Sequence, residues 1–488
     1  MRVLLINPGP PFDPATQPYV TFPNGLLYIA AILEKAGHDV QVYDCNTDSR
    51  RPADFVKFNP AVIGLSILSS PYVTDAIALA EEFKELLPGA RLIMGGVHAS
   101  ALPEQTMQEP YLDYIAIGAG EYTLLELLDY LENGGDIDLI KGLVHRKGGK
   151  VVINEARPFI KDLDELPDPA WHLLDVKKYW DFTLNTSRGC PFRCFFCYNV
   201  GFHKGYRGDL SAERMVAQVE HMQKNYGVRH IRFFEDNFTF NIKRLRQFCN
   251  LMVERNIKVK WDCESRADIR ESDIALMARA GCVSSGLGVE TGSPRLLKFL
   301  RKGVSIDDAE RTFWLMVKYK ITPRLYIMEG VPSETLEDFE LTHRLLERLD
   351  NPPYIYMRFV PYPGSELYEY CVTNKLIEAP PSLAAWADFT VKSATEANLS
   401  DVPKEIIDQN TAYYRKTYAW QRLRFTMRHR PGFFLATVLN PAGFFKQLRQ
   451  LVRIYFSLRF DSSARPPHPA AAEAILKTGH VHPGGPAA

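Results

Sequence analysis

Three cysteines lie close together in the chain, at Cys190, Cys194 and Cys197, with the spacing C-x-x-x-C-x-x-C. Thiolates are the usual protein ligands of iron–sulfur clusters. Three ligands on a four-iron cluster leave one iron open, and an open coordination position makes a metal site catalytic. A structural zinc ion is the alternative, and it would need a fourth ligand, for which His203 is the local candidate. The spacing favours a catalytic iron–sulfur cluster.

A series of strands and helices is needed to position this loop. Apolar runs alternate with amphipathic stretches from residue 181 to 375, and the cysteines directly follow the first run. Six strand–helix units predict a partial (β/α)6 barrel, whose chemistry lies at the C-terminal strand ends. The predicted strands are Phe182–Thr186, His230–Phe234, Lys258–Cys263, Val283–Val289, Arg324–Met328 and Ile355–Val360.

A second α/β unit precedes the barrel, in residues 1–140. Short apolar strands such as Arg2–Asn7 and Val62–Ser66 alternate with helical patterns such as Val73–Leu87. Such alternation predicts a doubly wound, Rossmann-like parallel sheet with helices on both faces. Residues 141–180 are proline-rich and are interpreted as a linker.

The C-terminal part is predicted to be helical over residues 376–460, and the Pro- and Ala-rich residues 461–488 are predicted to be disordered. Apolar and basic residues share one helical pattern in 430–460. A helix packed on the barrel, as a substrate cap, and a helix lying on a membrane surface both fit this pattern.

Composition narrows the function classes. The chain has 488 residues, with 58 basic and 58 acidic side chains. This balance argues against a nucleic-acid-binding protein, which would carry a basic excess. No uncharged apolar stretch approaches the length of a membrane span. Eight cysteines, five of them scattered, do not suggest a disulfide framework. A cytoplasmic protein, soluble or peripheral to the membrane, is therefore expected.

The segment from Asn185 to Cys197 resembles the cysteine loop of the radical S-adenosylmethionine (SAM) superfamily. The resemblance implies that SAM chelates the open iron and is cleaved to a 5′-deoxyadenosyl radical. It also implies a site for SAM at the ends of later strands, with Phe196 against the adenine and Glu235 or Asp236 near the α-ammonium. The implied SAM-binding residues are Phe196, Glu235, Asp236, Arg266, Gly288 and Glu290.

The N-terminal unit resembles the cobalamin-binding domain of one branch of this superfamily. The matching strings are Pro23–Ala30, Gly95–His98 and Gly118–Glu121. The first strand is followed by Asn7 and Pro8 rather than by D-x-H-x-x-G, so a bound corrinoid is expected to lack a histidine on its lower face. A degenerate domain without cobalamin also remains open. The implied contacts are Asn7, Ser66, Gly95, Gly96, His98, Gly118, Gly120 and Glu121.

These resemblances imply a cobalamin-dependent radical SAM enzyme with a four-iron cluster, SAM and cobalamin. C-methylation of an unactivated carbon on a small-molecule, lipid or tetrapyrrole substrate is the leading interpretation. Oxidative cyclisation or rearrangement, as in a porphyrin cyclase, is the alternative. Transfer-RNA methylthiolation would need a further N-terminal cysteine trio, and Cys45 alone precedes the triplet. An external electron donor such as flavodoxin or ferredoxin is expected, and no nucleic-acid partner.

Overall fold

The computed structural model describes residues 1–9, 21–70, 72–179 and 182–431. Within these residues the chain forms two largely parallel β-sheets, one after the other, a short two-stranded antiparallel pair, and then C-terminal helices. The predicted α/β class, with a Rossmann-like unit followed by a partial barrel and a helical extension, is confirmed. The segment 432–488 lies outside the described residues. It contains the end of the predicted helical cap region 376–460, nearly all of the predicted membrane-contact segment 430–460, and the predicted disordered tail.

The first sheet has the strand order β2-β1-β3-β4-β5-β6-β7 in the described residues. Strands β1 to β5 run parallel, while β6 and β7 pair antiparallel at one edge. The parallel strands are runs of buried apolar residues, as expected for a sheet covered on both faces. Their bounds are β1 Arg2–Asn7, β2 Asp39–Asp44, β3 Val62–Ser66, β4 Arg91–Gly95, β5 Tyr114–Ala116, β6 Leu143–Lys147 and β7 Lys150–Ile153.

The start of the predicted linker is a β-hairpin. Strands β6 and β7 are joined by a tight turn at Gly148 and Gly149, and they extend the first sheet. Both glycines have positive φ, which the turn requires. The sheet therefore continues to Ile153, and the irregular connection to the barrel is shorter than the predicted 141–180.

The second sheet has six parallel strands in the described residues, in the order β15-β14-β13-β12-β11-β8. All six predicted barrel strands are confirmed, with shifts of a few residues at their ends. The sheet is open between β8 and β15, as in a partial barrel. The bounds are β8 Phe182–Leu184, the short pair β9 Ser187–Arg188 and β10 Gly208–Asp209, β11 His230–Phe233, β12 Lys260–Arg266, β13 Cys282–Glu290, β14 Thr322–Glu329 and β15 Tyr354–Arg358.

Helices connect these strands and begin at recognisable caps. Ser211, for example, accepts a hydrogen bond from the Arg214 backbone N–H, and Gly227 ends the same helix in the left-handed region. The α-helices are α1 Asn24–Lys35, α2 Val73–Leu86, α3 Val97–Ala101, α4 Pro103–Thr106, α5 Glu121–Asn133, α6 Asn199–Phe202, α7 Ala212–Tyr226, α8 Ile242–Glu254, α9 Glu271–Arg279, α10 Pro294–Phe299, α11 Ile306–Lys318, α12 Leu336–Arg348, α13 Glu366–Thr373, α14 Ala385–Thr395 and α15 Lys404–His429. Single-turn 3₁₀ helices lie at Pro52–Phe55, Ile137–Leu139, Leu163–Glu165, Trp171–Leu173 and Val176–Lys178.

The two sheets share a hydrophobic core. One continuous cluster of buried side chains includes Leu27 of the first unit, Trp171 of the connection and Leu184 of the barrel. The C-terminal region returns to the first unit, where Leu383 and Ala387 join the core around β3 and α2. No helix of the described part of the chain combines the length and apolarity needed to cross a bilayer.

Candidate functional site

The three cysteines lie on the loop between β9 and α6. Their thiols are free and half-buried, and they line a cavity of about 410 Å³ at the C-terminal ends of the barrel strands. The Cys197 backbone N–H donates to the Cys194 carbonyl at 3.0 Å, which makes a tight turn between the last two cysteines. The loop thus presents all three sulfur atoms to one cavity.

The donor set fits a cluster better than a single ion. No group of three or more His, Cys, Asp or Glu side chains in the described residues is arranged to hold one metal ion. A four-iron cluster offers a separate iron to each thiolate, so its ligands stand further apart than the ligands of zinc. Burial raises the pKa of Cys197 to about 12 and also raises that of Cys190. Metal charge is therefore needed to keep these thiols ionised.

Glu235 anchors the start of the cysteine loop. Its carboxylate accepts hydrogen bonds from the hydroxyls of Thr186 and Ser187. Arg244 donates to the same carboxylate at 3.0 Å and Arg207 at 3.4 Å, and all these side chains are buried. Both oxygens of Glu235 are therefore occupied. The geometry favours a positioning role for Glu235 over the predicted contact with SAM.

Asp236 faces the cavity beside the cysteines. Its hydrogen-bond partners are the side chains of Tyr198 and Asn199, which follow Cys197 directly. Burial raises the pKa of this carboxyl, and no cationic side chain is among its hydrogen-bond partners in the described residues. A ligand ammonium would supply the charge that Asp236 lacks. Tyr198 and Asn199 were missed from the sequence, although they adjoin the cysteine motif.

A buried ion pair lies at the end of β13. Lys302 donates to Glu290 at 2.6 Å, and both side chains are less than a tenth exposed. The ammonium of Lys302 lies 5.6 Å from the centre of the Phe196 ring. A Cβ added to Gly288 would meet Lys302 Nζ at 2.6 Å, so glycine makes room for the pair. Sequence reasoning found Phe196, Gly288 and Glu290 but missed Lys302, which belongs to no motif.

Arg266 is held by the protein backbone. Its guanidinium donates to the carbonyls of Lys302 at 2.8 Å and Gly303 at 2.7 Å. It also stacks 3.9 Å above the ring of Phe192. Arg266 lines the cavity, and direct contact with SAM stays a prediction.

A second cavity lies at the C-terminal edge of the first sheet, where ligands of open α/β sheets bind. Its wall is largely apolar, with Leu5, Leu26, Ile29 and Ile93 among the lining side chains. Six of the eight predicted cobalamin contacts line it, namely Ser66, Gly95, Gly96, Gly118, Gly120 and Glu121.

Glycine is required at Gly96 and leaves open space at Gly118. Gly96 has a φ of 93°, and an added Cβ would lie 2.4 Å from the Ile67 carbonyl oxygen. Gly118 also has positive φ, and a Cβ there would meet no atom within 4 Å. Glycine at Gly96 therefore lets the chain pack closely against Ile67, and the backbone at Gly118 can lie directly against a bulky ligand.

Glu121 offers an unused hydrogen-bond acceptor in this cavity. The residue is 2% exposed, and its Oε1 accepts from Arg188 at 2.5 Å. Its Oε2 is buried without a partner in the described residues. Corrins carry carboxamide N–H donors around the ring, so this orphaned oxygen and the apolar wall fit a cobalamin.

Two of the predicted cobalamin contacts, Asn7 and His98, do not line this cavity in the described residues. Asn7 donates to Asp44 at 2.9 Å and does not line the cavity. His98 is fully buried on α3, where its Nδ1 bonds to Ser69 Oγ at 2.8 Å. Its ring lies edge-on to Trp386, at 5.4 Å between centroids. The turn at Gly96 directs His98 into the core rather than toward the cavity.

The two cavities meet at one place. Asn185, Arg188 and His203 line both of them. Asn24 of α1 donates to Asn185 Oδ1 at 2.8 Å and to the Thr183 carbonyl at 3.2 Å, which fixes the first barrel strand to the first unit. A group bound in one cavity would therefore lie next to a group bound in the other, with the end of the first barrel strand between them.

Comparison with known proteins agrees with this pairing of sites. A model of the B12 binding domain matches residues 15–128, and a model of the radical SAM superfamily matches residues 184–346. The fold and the two adjoining cavities define a radical SAM enzyme with a second, N-terminal cofactor domain.

The chain is 30% identical over 473 residues to an uncharacterized methyltransferase of Pyrococcus horikoshii, covering 93% of this chain and 99% of that protein. It therefore belongs to the family of radical SAM enzymes that carry a B12-binding domain. A hopanoid C-3 methylase of Methylococcus capsulatus is 26% identical, covering 99% of this chain and 95% of the relative. An anaerobic magnesium-protoporphyrin IX monomethyl ester cyclase of Rubrivivax gelatinosus is 26% identical, covering 76% and 70%.

The same fold is found in the cobalamin-dependent radical SAM enzyme OxsB in its aqua-cobalamin complex. The TM-score is 0.73 at 18% identity, and the match covers 98% of this chain and 75% of that chain. The similarity therefore extends over both sheets and their connection.

Proposed function

We propose that the protein methylates an unactivated carbon of an apolar substrate of the lipid or tetrapyrrole class. The main observation behind this proposal is that the two cavities meet at Asn185, Arg188 and His203. A methyl carrier in one cavity and a hydrogen abstractor in the other would face the same carbon. The hopanoid methylase relative, which matches nearly the full chain, supports this function.

The residues divide into two cofactor sites. Cys190, Cys194 and Cys197 would hold a four-iron cluster, and Asp236 with Phe196 would bind the SAM that chelates it. The glycines and Glu121 of the first unit would hold cobalamin. When bound, the cluster supplies the electron that cleaves SAM to a 5′-deoxyadenosyl radical, and the corrinoid supplies a methyl carrier.

The protein's own part is to orient the reactants and exclude water. Glu235 and the arginines that bind it hold the cysteine loop in place. The buried Glu290–Lys302 ion pair supports the ring of Phe196, because the ammonium of Lys302 lies over that ring. The rings of Phe192, Phe196 and Tyr326 line the cavity and would limit the access of water to a carbon radical. Phe234 lines the same cavity and is 50% exposed, which gives an apolar substrate a surface to enter along.

The stoichiometry of the reaction tests this function. Each methylated product requires two SAM and two electrons from an external donor such as flavodoxin or ferredoxin. The abstracted hydrogen leaves in 5′-deoxyadenosine, and methionine and S-adenosylhomocysteine are the other products. The reduced holoenzyme would be incubated with extracts of a gene-deletion strain and SAM carrying a trideuterated methyl group. We expect S-adenosylhomocysteine and 5′-deoxyadenosine in near-equal amounts, and a lipid-soluble product that carries the labelled methyl.

Oxidative cyclisation or rearrangement is the second candidate, and the similarity to the magnesium-protoporphyrin cyclase favours it. It would use the same cluster and the same radical. The same incubation would then yield 5′-deoxyadenosine with little S-adenosylhomocysteine and no labelled product. That result would replace methylation as the assigned reaction.

We further propose a cytoplasmic protein that contacts the membrane from one side. The predicted contact in 430–460 falls almost wholly outside the described residues, but the preceding helix α15 supports it. Trp420 is 62% exposed on this helix, with Lys416 one turn before it and Arg424 one turn after. Exposed tryptophan among basic side chains suits an anionic bilayer surface. We expect co-sedimentation with phosphatidylglycerol vesicles, weaker binding to phosphatidylcholine vesicles, and loss of binding in Trp420→Ala.

A further inference from the structure

The two oxygens of Glu121 have different surroundings. Oε1 is bound by Arg188 at 2.5 Å, whereas Oε2 has no partner in the described residues although the side chain is only 3% exposed. Buried carboxylate oxygens are rarely left unpaired, because each loses its hydration without compensation. Glu121 is the first residue of α5 and lines the apolar cavity, so the missing donor is expected to come from that cavity.

Charge balance limits the kind of donor. The guanidinium of Arg188 already neutralises the carboxylate, so a second cation would leave excess charge in a buried place. A neutral N–H donor completes the hydrogen bonding without adding charge. Carboxamide side chains of a corrin ring are such donors.

We propose that Glu121 binds a corrin carboxamide N–H through Oε2 while Oε1 binds Arg188. This one side chain would then fix the position of the corrinoid relative to the cysteine loop. This inference rests on the proposed cobalamin function. It makes Glu121 a binding residue and Arg188 a positioning residue.

Arg188 connects Glu121 to the loop that would hold the cluster. It lies two residues before Cys190, within the β9–β10 pair, and it lines both cavities. Its guanidinium lies 5.0 Å from the centre of the Tyr28 ring, and Tyr28 Oη donates to the Asn185 carbonyl at 3.4 Å. A ligand bound at Glu121 Oε2 would therefore affect the position of the cysteine loop through a single ion pair, that between Glu121 and Arg188.

The affinity of the cluster-reconstituted, cobalamin-free protein for hydroxocobalamin provides the test. Glu121→Gln keeps the size of the side chain and an acceptor for Arg188, but it turns an NH₂ group toward the carboxamide. We expect the dissociation constant, measured by anaerobic equilibrium dialysis, to rise about 10- to 100-fold, as expected for loss of a charged hydrogen bond. Glu126→Gln, on the exposed face of the same helix, is the matched control and is expected to bind like the wild type.

A spectroscopic measurement tests the link to the cluster. In the wild type, bound cobalamin is expected to shift the electron paramagnetic resonance of the reduced cluster in the absence of SAM, measured under excess reductant that converts hydroxocobalamin to its cobalt(II) form and keeps the cluster reduced. In Glu121→Gln, even at saturating cobalamin, the shift is expected to disappear while the iron content is retained. If Glu121→Gln does not fold, Glu121→Asp replaces it, because its shorter carboxylate cannot reach both partners.

The outcomes separate this inference from the function beneath it. Wild-type affinity in the folded Glu121 variant, Glu121→Gln or its replacement Glu121→Asp, would overturn the contact. Weakened binding with an unchanged cluster response would overturn the link through Arg188. Failure of the wild type to bind cobalamin would reject the proposed function itself, and this inference with it.

Discussion

Replacement of Glu235 tests whether this residue anchors the cysteine loop or binds SAM. Its side chain is 1% exposed, and those of Arg207 and Arg244 are 5% exposed. Removing one partner of a buried ion pair costs about 3–5 kcal/mol, because the other charge stays buried. Asp209 remains 2.8 Å from Arg207 and 3.2 Å from Arg244, so part of the charge is still balanced. We expect Glu235→Ala to lower the free energy of unfolding by about 3 kcal/mol.

Urea unfolding of the cluster-free protein measures this loss. Glu220→Ala, which breaks a half-exposed pair with Arg255, is the control and should change the free energy by less than about 1 kcal/mol. Glu235→Gln preserves the volume and some hydrogen bonds, so it should fold and accept a cluster. Its affinity for SAM should stay within a few-fold of wild type, whereas Asp236→Asn should lose at least tenfold.

Three results would refute parts of this reasoning. A Glu235→Ala protein as stable as the Glu220→Ala control would show that the buried network does not stabilise the loop. A Glu235→Gln protein that folds, holds iron and yet fails to bind SAM would restore Glu235 as a direct ligand. Asp236→Asn with unchanged SAM affinity would remove Asp236 from the site.

Three further predictions concern the cluster, the cobalt and a buried carboxyl. Anaerobic reconstitution should give no cluster when Cys190, Cys194 and Cys197 are all replaced by alanine, whereas replacing the other cysteines should leave the iron; iron retained in the triple variant would contradict the assignment. Cobalt(II) in the protein should show no nitrogen hyperfine splitting, and a triplet that disappears in His203→Ala would instead make His203 a cobalt ligand. Burial raises the pKa of Glu334 to about 8. Its folded form therefore binds a proton that the unfolded chain has lost, so the free energy of unfolding should fall from about pH 4.5 to pH 8. This fall should be smaller in Glu334→Gln, and equal pH profiles would argue against the raised pKa.

The sequence was sufficient for most of the fold. Runs of apolar residues located both parallel sheets, because strands buried on both faces leave little ambiguity. The hairpin of β6 and β7 was missed, since His145, Arg146 and Lys147 give it a polar composition. Its signal was nonetheless present, because Gly148 and Gly149 separate two short stretches that contain β-branched residues, Val144 on one side and Val151–Ile153 on the other.

The candidate site was predictable only where its residues are local in the chain. Cys190, Asp236 and Gly96 stand within short motifs that follow strands. Lys302 comes from the loop after a later helix, and Arg244 comes from the first turn of α8, so neither belongs to a motif that marks the site. His98 failed for a related reason. Its motif gave the position of the turn, but its environment is set by Trp386, nearly three hundred residues away.

The way in which the units are joined bears on how the reaction can proceed. A continuous core, the Asn24 contacts with Thr183 and Asn185, and the Glu121–Arg188 pair all fasten the first sheet to the first barrel strand. Helix α14 adds a contact on the opposite side, where Trp386 donates to Gln105 at 2.8 Å. Moving one sheet against the other would break these buried contacts together, each of which stabilises the fold by about 1 kcal/mol or more. These contacts oppose a movement of one sheet against the other, so we expect the separation of the two cavities to change little and the substrate to move into the space between them.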